Sequence, residues 1–245
     1  MVDFLKLVVV IPAFNEQDCI QSVLKGWYQE IQALSDITEF RILVINDGST
    51  DLTEKKIQEI LPQYPKVELI NRANGGHGEA LYQGYQLALD KSPDYIFQVD
   101  SDDQFNPEDF HKIWKLRGPV SSVQGMRVKR HDPLSRIVIN FIMKFLILLR
   151  FRCWIQDPNI PFRLYPKGIF IELWTKLPKS LFAPNLFLNI LAYQIGHPIH
   201  FIPITHKARQ TGQVSIIRWG LVKACLRSAR ELLFFKPSPG GGKFE

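Results

Sequence analysis

A run of oxygen-bearing side chains at residues 100–104 is the part of the sequence best suited to chemistry. Asp100 and Asp102 stand two residues apart, and the amide of Gln104 follows two residues later, directly after an apolar run. Mg²⁺ and Mn²⁺ prefer such oxygens, and Mg²⁺ usually keeps positions for water and phosphate oxygens. The run therefore predicts a metal site. The alternative is a polar loop that caps a helix beginning near Pro107.

Three further polar clusters have the composition of a nucleotide-binding site. They lie at residues 14–16, 46–51 and 71–78. The second offers a turn and side-chain acceptors to a base or ribose. In the third, Gly76 and His77 open a predicted helix, whose first N–H groups favour phosphate. A turn or a helix cap also explains each cluster when it is taken alone.

Arginines and one aspartate mark the second half of the chain. A guanidinium group binds phosphate through two parallel hydrogen bonds, although any single arginine is also explained as a solvated surface charge. Asp157 is one of only five acidic residues after position 120. Its open roles are a base, a support for the metal or donor, and the counter-ion of an arginine. The candidate arginines are Arg127, Arg130, Arg136, Arg163 and Arg209.

The elements that must position these clusters alternate between strands and helices over the first 120 residues. The pattern predicts strands at 5–11, 40–45, 67–70 and 95–99 and helices at 17–34, 50–61 and 77–89, with Ser49 or Thr50 capping the second helix. Such alternation predicts right-handed crossovers on a parallel sheet, and ligands bind beyond the carboxyl ends of its strands. All four polar clusters fall at those ends.

Beyond residue 120 the pattern changes. Strands are predicted at 120–126 and 199–204, basic apolar helices at 133–151 and 215–235, and irregular chain at 158–166. The expected organisation is one domain over 1–236, with two halves at 1–120 and 121–236. A flexible tail is expected at 237–245.

Composition and charge narrow the class of protein. The 245 residues suffice for one α/β domain, and the three cysteines are too far apart for a disulfide framework, which favours a reducing cytosol. Residues 1–120 carry 19 acidic and 11 basic side chains, whereas the remainder carries 5 and 19. The acidic half suits a cation and the basic half an anionic surface or ligand. The sequence has neither a signal-peptide pattern nor a membrane-spanning apolar run, so a cytoplasmic protein is expected.

In this order, the motifs resemble the family 2 glycosyltransferases with a GT-A fold, particularly the dolichol- or polyprenyl-phosphate sugar transferases. The similar segments cover residues 8–166, about two thirds of the chain. They are VVVIPAFNE (8–16), VINDGSTD (44–51), NRANGGHGEAL (71–81), QVDSDDQFNPEDF (98–110), QGMRVKR (124–130) and IQDPNIPFRLYP (155–166). Asn46 departs from the family pattern, where aspartate is commoner, and leaves the base open. Residues 187–189 depart as well, because many relatives have a glutamate there.

The resemblance implies that residues 1–120 are a nucleotide-sugar-binding half and residues 121–236 an acceptor- or membrane-facing half. It also implies a role for each matching residue. The donor would be bound by Pro12, Ala13, Glu16, Asp47, Gly76, His77, Asp100, Arg136 and Arg209. The metal and diphosphate would be held by Asp100, Asp102 and Gln104. Arg127, Arg136 and Arg163 would face phosphate. Asp157 would lie close to the acceptor, and the residues expected to take part in catalysis are Asp102, Asp157, Arg127 and Arg163.

These inferences predict an inverting, Mg²⁺- or Mn²⁺-dependent enzyme that moves a hexose from a GDP- or UDP-sugar to a polyprenyl phosphate at the cytoplasmic membrane face. A phosphate acceptor is already anionic, so Asp157 would position it. The two basic apolar helices would lie on the membrane surface, or else pack against the sheet, another subunit or a membrane protein. The alternative acceptor is a saccharide hydroxyl, which needs a base. A non-catalytic binding module is the third hypothesis, and the sequence has no nucleic-acid-binding motif.

Overall fold

The computed structural model describes residues 5–127, 134–179, 181–208 and 218–237, without the side chains of 134–140, 218–222, 224 and 225. The strands are β1 (Leu5–Ala13), β2 (Ile37–Asn46), β3 (Val67–Asn71), β4 (Tyr95–Val99), β5 (Ser122–Arg127), β6 (Phe162–Pro166) and β7 (Ile199–Ile204). The helices are α1 (Ile20–Gln32), α2 (Thr53–Ile60), α3 (His77–Asp90), α4 (Phe110–Lys115), α5 (Leu134–Phe151), α6 (Lys167–Lys176), α7 (Pro184–Gln194) and α8 (Arg218–Phe234).

The strands form a seven-stranded, mostly parallel sheet in the order β3-β2-β1-β4-β6-β5-β7. Only β6 runs against its neighbours: it is antiparallel to both β4 and β5, while β5 pairs with β7 in parallel. The α/β sheet with helices on both faces confirms the predicted fold class. Because β1, β2 and β4 run in parallel, the three loops that leave them open at the same edge of the sheet.

The sheet is buried on both faces, which explains the continuous apolar runs of its central strands. In β1, Leu7, Val9 and Ile11 pack with α1, α2 and α4, whereas Val8 and Val10 pack with α3, α6 and α7 on the opposite face. Ile147 of α5 and the buried residues of α8 join this second core. Among the residues described, no helix has both the length and the hydropathy to cross a bilayer.

The predicted elements of the first 100 residues are all present, with shifted ends. The predicted cap of α2 was wrong: the helix begins at Thr53, and neither Ser49 nor Thr50 caps it. Instead the Asp51 carboxylate accepts the backbone N–H of Thr53 at 2.9 Å and its hydroxyl at 2.5 Å. Asp51 thus satisfies a donor of the first turn, as a capping side chain does.

The predictions for the second half were less complete. The chain at 158–166 is not wholly irregular, because its second part is the central strand β6, and helices α6 and α7 were not predicted. The helix considered near Pro107 is present as a short turn at Pro107–Asp109 that leads into α4. Two prolines bracket β6 and a charged residue interrupts its apolar pattern. These features are untypical of a central strand, so the sequence pattern did not predict one, although β6 lies in the middle of the sheet. The tail after residue 237 lies outside the described residues.

Trp27 of α1 packs in the first core, against the central strands of the sheet. Its ring is 1% exposed and lies 5.4 Å from the ring of Phe97 on β4 and 5.9 Å from that of Phe162 on β6. Trp27→Ala should lower the free energy of unfolding by about 3–5 kcal/mol, because it leaves a cavity between two strands. Denaturant unfolding followed by circular dichroism measures this change.

Leu116→Ala is the matched control, since that side chain is 50% exposed at the end of α4. It should alter the free energy of unfolding by no more than about 0.5 kcal/mol. If both variants lost the same free energy of unfolding, the conclusion that Trp27 stabilises this core would be contradicted.

Candidate active site

A cavity of about 330 Å³ opens at the carboxyl ends of β1, β2 and β4, beside the start of α3. It is lined by Pro12, Ala13, Phe14, Glu16, Asp47, Asn74, Gly76, His77, Ala80, Asp100, Ser101, Asp102 and Phe182. Eight of these residues were predicted as donor- or metal-binding, and the fold brings all eight to one cavity. Their chemical roles stay predictions. Phe182, which precedes α7, was missed because no local pattern places that loop beside α3.

Asp47 organises the loop that precedes α3. Its carboxylate accepts the backbone N–H groups of Gly75 at 3.0 Å and Gly76 at 2.7 Å, and it is paired with the Arg72 guanidinium. Gly76 has φ of 91°, a conformation that favours glycine. The side chain predicted to lie near the base or ribose therefore also shapes the backbone of the neighbouring cluster.

The loops after β1 and β2 are tied to each other. The backbone N–H of Thr50 donates to the Asn15 side chain at 2.8 Å, and the N–H of Glu16 donates to the Thr53 hydroxyl at 2.8 Å. Glu16 is buried, and the Cys19 thiol lies 3.5 Å from its carboxylate. These ties give the floor of the cavity a defined shape without a bound ligand.

Asp100 and Asp102 place two carboxylates in the cavity. Burial and the neighbouring Asp102 raise the pKa of Asp100 well above its ordinary value, although Arg127 and a hydrogen bond from Gln98 at 3.0 Å oppose this shift. His77 lies 3.9 Å from the Asp100 carboxylate. Its enclosure lowers the pKa of His77 despite the nearby carboxylates, which favours a neutral imidazole.

The donor set of the cavity fits a divalent cation that also binds diphosphate. In the described part of the chain, no three His, Cys, Asp or Glu side chains are arranged to hold a metal by themselves. The two carboxylates would supply part of an oxygen shell, and water and a diphosphate would complete it, as is common for Mg²⁺. Two like charges in one partly enclosed cavity also favour a bound cation.

Gln104, the third predicted metal ligand, is not among the residues that line the cavity. Its side-chain amide donates to the Lys207 carbonyl at 3.1 Å, and the Lys207 N–H donates to the Gln104 carbonyl at 2.8 Å. Gln104 therefore fastens the end of the acidic loop to the segment after β7.

Arg127 and Asp157 form a buried ion pair near the end of β5. The guanidinium donates two parallel hydrogen bonds, from Nε and Nη2, and each is 2.9 Å long. The Asp157 side chain is only 4% exposed. Of the three roles left open for Asp157, this geometry supports the counter-ion role, and Arg127 belongs to the same pair.

The structure corrects the expectation that Arg163 faces a phosphate. Arg163 is fully buried on β6, and the acceptors of its hydrogen bonds are protein oxygens, among them the carbonyls of Pro158 at 2.9 Å and Asn185 at 2.8 Å. A third carbonyl acceptor belongs to Ile160. Arg163 thus holds the loop that follows Asp157. The Arg136 side chain, Arg130 and Arg209 lie outside the described residues.

Residues 8–174 match the sequence model of the family described as glycosyl transferase family 2. The chain belongs to this family. The family match covers the second half, which carries 19 of the 30 Lys and Arg residues, only in part.

Two curated relatives are similar in sequence to this chain. An uncharacterized protein of Methanocaldococcus jannaschii is 33% identical over 150 residues, which cover 58% of this chain and 61% of that protein. The undecaprenyl-phosphate 4-deoxy-4-formamido-L-arabinose transferase of Salmonella choleraesuis is 30% identical over 212 residues, or 84% of this chain and 61% of the transferase. The chain thus spans about three fifths of the length of both relatives.

Solved structures share the fold. Glucosyl-3-phosphoglycerate synthase from Mycobacterium tuberculosis, in complex with phosphoglyceric acid, superposes with a TM-score of 0.66 at 19% identity, over 94% of this chain and 79% of that one. A complex of the same enzyme with Mn²⁺, uridine diphosphate and glucosyl-3-phosphoglycerate gives 0.65 at 19% identity, over 94% and 78%. This likeness confirms the predicted GT-A architecture.

Asp47→Asn should loosen the loop before α3 in this family 2 protein. The variant keeps the size of the side chain but loses the charge that accepts two backbone N–H groups and pairs with Arg72. Hydrogen bonds to charged groups contribute roughly 1.5–3 kcal/mol, so amide exchange in residues 72–79 should accelerate by about tenfold or more. Hydrogen–deuterium exchange with mass spectrometry measures it.

Asp51→Asn is the control, because Asp51 holds the first turn of α2 and has no contact with the glycine loop among its described hydrogen bonds. Its faster exchange should appear at Gln17 and at residues 52–56, whose N–H groups it holds, and not at 72–79. Unchanged exchange at 72–79 in Asp47→Asn would refute the role of that carboxylate.

Proposed function

We propose that this glycosyltransferase moves a hexose, with inversion, from a nucleotide-sugar donor to the phosphate of a polyprenyl lipid at a membrane surface. The observation that carries the proposal is the Arg127–Asp157 pair, whose guanidinium is close enough to Asp100 of the cavity to oppose the rise in the pKa of that carboxyl. The named activity of the Salmonella relative supports the lipid-phosphate acceptor. The uridine diphosphate and Mn²⁺ of the solved neighbour support the donor and the cation.

The donor would occupy the 330 Å³ cavity, with its nucleoside between the β1 and β2 loops. The N–H groups at the start of α3 would face its diphosphate, because Asp47 and Gly76 orient that turn. Arg136 and Arg209 are retained as proposed donor contacts from the sequence alone. The base stays open between uracil and guanine.

Asp100 and Asp102 would hold Mg²⁺ or Mn²⁺ against the diphosphate. When bound, the cation supplies Lewis-acid stabilisation of the charge that develops on the leaving diphosphate. The chain's part is to orient the two carboxylates and to keep His77 neutral beside them. Gln104 remains a proposed contributor to the metal site. Because its side-chain amide is hydrogen-bonded to Lys207, that contribution would be indirect.

The acceptor side favours a phosphate over a hydroxyl. A hydroxyl acceptor needs a base that takes its proton in the transition state. Asp157 is the candidate base, yet both of its oxygens accept hydrogen bonds from Arg127, which makes it a poor proton acceptor. A phosphate monoester is already anionic near neutral pH and needs no such base, so the pair would instead position the acceptor.

An apolar, basic surface formed by α5 and α8 supports work at a membrane. The two helices meet through Phe151 and Phe235, whose rings lie 6.0 Å apart, and both helices keep an exposed outward side. Phe141 is 63% exposed, Leu149 63% and Phe234 74%. The exposed basic residues beside them include Arg150, Arg152, Lys223, Arg227 and Arg230. Such surfaces bind anionic lipid surfaces through both apolar burial and charge.

Incubation with a panel of UDP- and GDP-hexoses, Mn²⁺ or Mg²⁺, and undecaprenyl or dolichyl phosphate should yield a lipid-linked sugar. The product is detected by chromatography and mass spectrometry. Asp102→Asn should lower its rate by about 100-fold or more, because one of two metal-binding carboxylates is lost. Asp103→Asn is the matched control, since the Asp103 side chain does not line the cavity; it should keep near-normal activity.

Asp157→Asn separates the two acceptor classes. A positioning carboxylate should lower turnover with lipid phosphate only partly, whereas a catalytic base should lose turnover entirely with a saccharide acceptor and keep donor binding. Nucleotide release with a saccharide, combined with no product from any lipid phosphate, would overturn the proposal in favour of the hydroxyl acceptor.

The α5 and α8 surface should bind anionic vesicles. Flotation with phosphatidylglycerol vesicles should recover the wild-type chain, and the triple variant Phe141→Ser, Leu149→Ser, Phe234→Ser should lose most of that binding. The triple variant should lose vesicle binding because it removes exposed apolar area without any change in charge. Leu52→Ser, which alters an exposed leucine on the far side of the sheet at α2, should bind normally. Equal binding by both variants would contradict the assignment of this surface.

A further inference from the structure

A row of polar side chains crosses the otherwise apolar second face of the sheet. Gln98 on β4, Arg163 on β6 and Gln124 on β5 are direct neighbours in the strand register, and all three are fully buried. Helix α7 covers the row, and its Asn185 and Asn189, one turn apart, are also buried. Polar groups are costly inside a core unless each is satisfied, and of these five side chains only Gln124 has an atom, its Oε1, without a hydrogen-bond partner, so the set calls for an explanation.

One arm of the row ends at the cavity. The Tyr85 hydroxyl donates to Asn185 Oδ1 at 2.8 Å, Asn185 Nδ2 donates to Gln98 Oε1 at 3.0 Å, and Gln98 Nε2 donates to Asp100 Oδ1 at 3.0 Å. Every bond in this chain points toward Asp100. Because Asp100 Oδ1 accepts from the Gln98 amide nitrogen, the Gln98 oxygen faces Asn185, whose own donor then holds that orientation.

The other arm ends at the loop that carries Asp157. Asn189 Nδ2 donates to the Pro158 carbonyl at 3.1 Å, and its Oδ1 accepts from Gln124 at 2.6 Å and from Arg163 at 3.1 Å. Arg163 also donates to the Pro158 carbonyl at 2.9 Å. Pro158, the residue after Asp157, is therefore held by hydrogen bonds from both β6 and α7.

We propose that Asn185 and Asn189 are positioning residues of the transferase: Asn185 sets the Asp100 carboxylate through Gln98, and Asn189 sets Asp157 through Pro158. Both lie on one rigid helix, so α7 fixes the metal side of the site relative to the acceptor side. Neither asparagine touches the cavity, and both act through another residue. The functional consequence rests on the proposed metal and acceptor sites, whereas the positioning itself does not.

The first test concerns Asn185. Asn185→Leu removes both side-chain hydrogen bonds and adds no charge. Asn185→Asp still accepts from Tyr85, but it demands a donor from Gln98 and so turns the Gln98 oxygen toward Asp100. Mn²⁺ affinity in the presence of UDP, or of GDP, measured by electron paramagnetic resonance, should fall by about tenfold or more in both variants. Added negative charge alone would strengthen Mn²⁺ binding by Asn185→Asp, so a gain there overturns the proposal.

The second test concerns Asn189. Asn189→Asp keeps the oxygen that accepts from Arg163 and Gln124 and loses the donor to Pro158. We expect kcat with the lipid-phosphate acceptor to fall about tenfold or more, while Mn²⁺ affinity changes less than threefold. Asn185→Leu and Asn189→Asp thus act as controls for each other. If both variants lose Mn²⁺ affinity and turnover in the same proportion, the two arms are not separate and the proposal fails.

Leu173→Ala controls for loss of stability, because Leu173 is fully buried in the same core and lies outside the polar row. It should lower Tm and leave Mn²⁺ affinity unchanged. Crystal structures of the wild type and Asn185→Leu decide the positioning even if the wild type binds no Mn²⁺, a result that would refute the proposed metal site alone. A rotated Asp100 carboxylate in the variant supports our inference, and an unmoved one overturns it.

Discussion

The buried charge of Arg163 is the constraint around which the second half of the molecule is arranged. A guanidinium group stays protonated, so a fully buried one must be solvated by protein oxygens. The structure provides them from the loop before β6, from Tyr165 and from α7. The loop that carries Asp157 and the first turn of α7 are therefore fixed by the same side chain. The reversed direction of β6 places that loop at the edge where the parallel strands end.

A second set of hydrogen bonds organises the cavity proposed for the donor. The β1 and β2 loops exchange hydrogen bonds through Asn15 and Thr50, and Asp47 holds the turn before α3. These bonds involve loops that are far apart in sequence but converge because their strands are parallel. The cavity is thus shaped by hydrogen bonds between side chains and backbone, and the carboxylates of Asp100 and Asp102 line it from the loop after β4. The proposed donor side is thus held by hydrogen bonds between loops, and the proposed acceptor side by a buried guanidinium group. The two sides meet across β4 and β6.

Most of the cavity proposed for the donor was predictable from the sequence, and most of the structure around Asp157, the proposed acceptor side, was not. Strand–helix alternation and the rule that ligands bind at carboxyl ends were enough to bring Asp47, His77 and Asp100 together. The same reasoning failed for Arg163, because a single arginine gives no sign of whether it points to solvent or into a core. Strand β6 was missed for a related reason: its five residues acquire their meaning only from the antiparallel pairing with β4 and β5. The contacts of Asn185 and Phe182 are tertiary and leave no local pattern.

Helix α8 joins the apolar outer surface to the donor cavity. The Glu231 carboxylate accepts the backbone N–H of Phe182 at 3.0 and 3.1 Å, and the Arg227 guanidinium lies 5.3 Å from the Phe182 ring centroid. Phe182 itself lines the cavity, and the exposed Phe234 lies on the same helix less than one turn after Glu231. Any shift of α8 must therefore move a wall of the cavity or break these contacts. One helix thus connects the surface proposed to bind lipid with the cavity proposed to bind the nucleotide sugar, so a movement of the helix at one of them would be felt at the other.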